Sequence, residues 1–102
     1  MALNIRKDKH YTITIEEMGV DEPKTLQFEY QDREDLFKAV EKIQQGSGLE
    51  PNVATKVAVA VRLLGPVMMA DRKHPLFVDF MPHFRAFMQN LKSTVKLALK
   101  GE

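Results

Sequence analysis

Residues 72–87, RKHPLFVDFMPHFRAF, hold the side chains of this sequence whose types and spacing could do chemistry. Asp79 and His83 stand four apart, so on one continuous helix their side chains are neighbours. A carboxylate beside an imidazole can orient it as a general base, or the two can supply two ligands to a metal ion. His74 lies nine positions earlier and becomes a third ligand only if the chain folds back at Pro75. That spacing matches no zinc signature, and it assigns no catalytic residue, no metal and no cofactor. The plainer reading makes Asp79 a helix cap and His83 a half-buried histidine with a carboxylate neighbour, the prolines setting the chain direction.

Arg72 and Arg85 flank the histidines and could clamp an anion. With Lys73 and Lys92 they could form a surface for a phosphate or an acidic peptide. A solvated helix face explains the same charges, because no aromatic residues interleave with them as in single-strand readers. The candidate binding set is therefore Arg72, His74, Asp79, His83 and Arg85. The acidic groups Glu16-Glu17, Asp21-Glu22 and Asp32 to Asp35 show no calcium-loop spacing. Met68, Met69, Met81 and Met88 could line an adaptable groove, although methionines at helical spacing belong more often to a core. No Gly-rich phosphate loop, G-x-S-x-G elbow, H-E-x-x-H helix or dinucleotide fingerprint is present.

The bulk numbers bound the elements that must position these groups. A chain of 102 residues has room for one hydrophobic core, so a single domain over 1–102 is expected, with loose ends at about 1–8 and 100–102. Fifteen basic and 14 acidic residues give a net charge of +1, which offers no global field for nucleic acid or an anionic membrane. Cysteine is absent, so thiol nucleophiles, disulfides and thiolate metal sites are excluded. The opening MALNIRKDKHY lacks the apolar region of a secretory signal. VAVAVRLLGPVMMA, interrupted by Arg62, reads as too short to cross a bilayer. A cytoplasmic protein is expected.

Two stretches alternate with period 2. HYTITIEEM puts Tyr11, Ile13 and Ile15 on one side, and KTLQFEYQ does the same with Leu26, Phe28 and Tyr30. The turn cluster GVDEP between them predicts an antiparallel hairpin with one apolar face. The period then changes. Asp32 stands where a helix N-cap would, Leu36, Phe37, Val40 and Ile43 follow at helical spacing, and Gly46-Ser47-Gly48 stops the run.

A second helix is predicted from Pro51, with a stripe of Val53, Val57, Val61, Leu64 and Met68 and, because of Pro66, a kink near Val61 to Gly65. It is apolar on more than one side, so it is either central or part of an interface. A third runs from about Asp79 to about Leu99, with a stripe of Phe80, Phe84, Phe87, Met88, Leu91 and Val95 and a flank of Lys92, Lys96 and Lys100. The fold class is α+β: an antiparallel β-hairpin followed by three helices, ββααα, the last two joined at a proline-rich junction.

Three segments, HYTITIE, FEYQDREDLFKAVEKIQ and RKHPLFVDFMPHFRAFMQNLK, resemble a small bacterial family, domain of unknown function 3861. The resemblance runs from about His10 to about Lys92. Its most specific part is the H-P-L-F block His74 to Phe77, then Pro82 to Phe84 and Asn90 to Lys92. It implies a bacterial cytoplasmic α+β protein and brings no activity and no residue roles with it.

Two functions follow as expectations. A hairpin too small to stand alone, beside a helix with excess apolar surface, points to a non-enzymatic interaction module that forms a homodimer or binds a small protein partner. The alternative is a small ligand- or metal-binding protein or an enzyme, with its site at the 72–85 junction.

Overall fold

A computed structural model describes residues 8–100, so the ends expected to be loose lie almost wholly outside the described residues. The chain divides into two compact units, one ending at Asp35 and the other beginning at Leu36.

The first unit is the hairpin. Strand β1 (Lys9–Glu16) pairs antiparallel with β2 (Thr25–Asp32), and the ladder runs from Lys9 opposite Asp32 to Glu16 opposite Thr25. This register sets Tyr11 across from Tyr30, Ile13 from Phe28 and Ile15 from Leu26. Because side chains alternate between faces, these six residues share one face, and His10, Thr12, Thr14, Gln27, Glu29 and Gln31 share the other. The Tyr11 and Tyr30 rings stack with centroids 5.4 Å apart. The connection closes as Glu17 N–H donates to the Lys24 carbonyl over 2.9 Å, while Lys24 N–H donates to Glu17 Oε1 over 3.1 Å. Gly19 sits in this loop at φ 78°, a conformation that an L side chain strains to adopt.

Asp32 corrects one expectation. It ends β2 instead of capping the next helix, which starts four residues later at Leu36. Its side chain is buried at 4% exposure. Oδ1 accepts from Glu34 N–H over 3.0 Å, and Oδ2 accepts from the Tyr30 hydroxyl over 2.8 Å. The bond to the N–H two residues on makes an Asx turn, which competes with helix and leads the chain out of the strand.

The second unit contains four helices: α1 (Leu36–Gly46), α2 (Pro51–Ala70), the single-turn α3 (Pro75–Val78) and α4 (Met81–Lys100). The expected ββααα order holds, with α3 added inside the proline-rich junction. Helix α1 ends where Ser47 N–H donates to the Ile43 carbonyl, 3.0 Å. Pro51 takes the first position of α2, where its missing N–H costs nothing. Thr55 ties the pair together: Oγ1 donates to the Pro51 carbonyl and accepts from Gln44 Nε2 of α1, both at 2.9 Å.

The core is built on α1, which packs against α2 on one side and α4 on the other. Ile43, Ala54 and Ala58 are buried at its centre, with Val40, Leu91 and Val95 closed around them. Fully burying an aliphatic side chain of this size contributes about 1.5–3 kcal/mol. Phe37 is corrected here: it is 71% exposed, and the buried stripe of α1 is Leu36, Ile43 and Gly46.

The stripe of α2 is also rotated from the expected one. Ala54, Ala58, Val61 and Met68 are buried, while Val53, Leu64 and Val67 face outward. The small residues turn inward because they let α1 approach closely. The helix runs unbroken through Pro66 and is long and apolar enough, by length and composition, to cross a membrane, which corrects the expectation on length. Its narrow buried arc packs on α1, and Lys56 and Arg62 interrupt its apolar sequence. In α4, Met81 is buried and Phe84, Met88, Leu91 and Val95 are half-buried, whereas Phe87, and Phe80 just before the helix, are more exposed than their spacing suggested.

Candidate functional site

The junction from Asp71 to Phe84 is held by a succession of backbone hydrogen bonds. His74 N–H donates to the Asp71 carbonyl (3.0 Å), Phe77 N–H to His74 (2.9 Å), Phe80 N–H to Phe77 (3.1 Å) and Phe84 N–H to Phe80 (2.9 Å). The connection is thus tied by backbone hydrogen bonds at successive turns.

His74 is the N-cap of α3. Its ring Nδ1 accepts from Leu76 N–H over 3.0 Å, and the ring packs on Phe77 with centroids 5.6 Å apart. A neutral imidazole whose Nδ1 accepts that bond carries its proton on Nε2, so neither nitrogen has a lone pair for a metal while the cap is made. Asp79 forms the C-terminal boundary of α3, and Phe80 supplies the carbonyl for the first hydrogen bond of α4. Asp79 and His83 therefore do not share a continuous helix, which was the premise for pairing them. His83 is exposed, not half-buried. Among the described residues neither side chain forms a hydrogen bond or ion pair, and no three His, Asp or Glu residues are grouped to hold a metal.

What the junction does bring together is cationic. Arg72 and Lys73 from the turn after α2 and Arg85 from α4 line one open hollow of about 560 Å³, with Val78, Met81 and Pro82 completing its wall. Met81 and Arg85 are four apart on α4 and so lie on one face, with buried Met81 as the apolar floor below the guanidinium. No carboxylate lines the hollow. Asp71, next in sequence, lines an adjoining hollow with Met69, Ala70, Arg72 and Lys73. Of the five residues singled out from the sequence, Arg72 and Arg85 meet here, while His74, Asp79 and His83 are not among the lining. Lys92 stands seven residues beyond Arg85, about 10 Å along α4, and does not join them.

One further hollow, of about 400 Å³, lies on the hairpin between His10, Tyr11, Thr12, Glu29, Tyr30 and Gln31. Sequence reasoning did not single out His10. Its only signal is its place on the polar side of β1, which every other residue of an amphipathic strand shares.

The geometry can be set beside known proteins. A crystal structure of a protein of unknown function from Pectobacterium atrosepticum matches with a TM-score of 0.76 and 44% identity, over 83% of this chain and 97% of that one. No curated protein matches. The pattern of a family described as a domain of unknown function with a solved structure, DUF3861, matches residues 9–93.

Proposed function

The chain belongs to the DUF3861 family, and we propose that this α+β member is a non-enzymatic protein-interaction module of the bacterial cytoplasm that self-associates. The apolar face of the hairpin carries the reading. Three apolar cross-strand pairs line that face, yet Ile15 is 55% exposed, Leu26 58% and Phe28 36%. A sheet of two strands is marginal in water and gains stability from further strands or from cover on its apolar side.

Both strands are eight residues long, contain no proline and have no second ladder neighbour among the described residues, so each outer edge can template another strand. A second copy that lays its own hairpin face on this one across a two-fold axis covers both apolar faces at once, and the outer edges stay able to add strands. The outward arc of α2, with Val53, Leu64 and Val67, adds apolar area that a partner can cover. Nothing in this arrangement calls for chemistry. Light scattering over a concentration series tests it: the mass rises to twice the 11.7 kDa of the chain. A strict monomer at high micromolar concentration rules out the homodimer.

A further inference from the structure

We infer that the hollow lined by Arg72, Lys73 and Arg85 binds a small amphipathic organic anion, a phosphate monoester or carboxylate attached to a short apolar body. The site lies wholly within the helical unit and does not depend on self-association through the hairpin.

Three observations carry the inference. Three cations from two separate segments border one hollow, and among the described residues none of the three forms an ion pair or hydrogen bond with a protein group. No carboxylate lines this hollow, Asp71 lying in the adjoining one, so the like charges repel one another there, and a bound anion removes that repulsion while accepting charge-assisted hydrogen bonds. The two arginines offer planar forks that suit a phosphate or carboxylate, and Lys73 adds a point charge.

The wall is the second observation. Val78, Met81 and Pro82 are apolar, so a fully polar ion such as inorganic phosphate leaves that surface wet, whereas an alkyl or aryl group covers it. Methionine at the floor can adjust its rotamer to different apolar bodies. The hollow, about 560 Å³, is open to solvent and has room for a small anion lying against its apolar wall.

Rigidity is the third. The His74 cap and the backbone bonds from Asp71 to Phe84 hold the turn bearing Arg72 and Lys73 relative to the helix bearing Arg85. The backbone that carries the cations is thus set before the ligand arrives, and only their side chains are ordered on binding.

The test is an NMR titration of the full chain with octyl phosphate below its micellar concentration, with inorganic phosphate and octanol as separate probes. The expected result is saturable movement of the amide signals of residues 72, 73, 78 and 81–85. Binding should weaken about tenfold or more in Arg72→Glu and in Arg85→Glu, and stay unchanged in Lys92→Glu. Inorganic phosphate and octanol should each bind at least about tenfold more weakly than octyl phosphate, since each meets only half of the site. All three substituted residues are exposed, and a dispersed amide spectrum checks that each variant is folded. The proposal is overturned if octyl phosphate gives no saturable shift, if the shifts map elsewhere, or if neither charge reversal weakens binding. Equal affinity for inorganic phosphate also overturns it, because the apolar wall would then have no part.

Discussion

Gly46 at the end of α1 lies against Val95 of α4 so closely that a Cβ placed on it would stand 2.9 Å from the Val95 Cα and 3.1 Å from its carbonyl oxygen. Both atoms belong to the backbone and cannot step aside as a side chain can. The contact lets α1 rest on α4, and it makes a glycine necessary where the sequence shows only a helix stop.

A contrast of two alanine substitutions follows. Gly46→Ala gains about 0.5–1 kcal/mol of helix propensity but forces an overlap with backbone, and overpacking of this kind costs about 1–3 kcal/mol. The net effect is destabilising. Gly65→Ala on α2 meets only the Phe84 ring, at 3.8 Å, an ordinary van der Waals distance. That variant keeps the propensity gain and is neutral or more stable. Urea denaturation of both checks the signs, and a stabilised Gly46→Ala variant would contradict the close approach of α1 and α4.

The Asp32 carboxylate joins a strand to a turn, so its loss should exceed that of an exposed cap. Asp32→Ala removes the acceptor of the Glu34 N–H and of the Tyr30 hydroxyl together and is expected to cost about 1–3 kcal/mol. Tyr30→Phe removes one partner and costs less, about 1 kcal/mol. Because both changes break the same bond, the double variant should be less destabilised than the sum of the two single ones. Thermal denaturation of the four proteins supplies the cycle; strict additivity would show that the bond contributes nothing.

His74 is predicted to act through Nδ1 as a cap acceptor. His74→Asn retains an acceptor and should stay within a few tenths of a kcal/mol of the parent, while His74→Ala loses about 0.5–1 kcal/mol. Hydrogen exchange at the Leu76 amide reads the bond directly. Faster exchange in the alanine variant alone is expected, and equal exchange in both would remove the capping role.

Much of this was legible in the sequence, for physical reasons. Tyr11, Ile13 and Ile15 against Leu26, Phe28 and Tyr30 alternate with no competing pattern, so the strands and their shared face follow from period 2 alone. Helix α2 was harder. Valine, alanine and glycine surround it, and hydropathy cannot tell which arc turns inward. Close packing chose the small residues Ala54 and Ala58 over Val53 and Val57.

Asp32 looked like a cap because a cap and an Asx turn use the same oxygen for the same kind of bond. At the site, the pairing of Asp79 with His83 needed a helix running through Phe80. Pro82 was the available warning, since proline favours the first turn of a helix and disfavours helical backbone at the residue before it. The meeting of Arg72 and Lys73 with Arg85 depends on the path of α3, which no spacing rule encodes.

The central claim is that the hairpin face is the surface through which copies associate, and one comparison tests it most directly. Light scattering is measured at high micromolar concentration on the parent and on a Leu26→Lys variant. Leu26 is exposed in the single chain, so the substitution should leave the fold intact, as circular dichroism can verify. The account predicts a parent at twice the chain mass and a folded variant at the mass of one chain. A parent that stays monomeric, or a variant that dimerises as well as the parent, would contradict it.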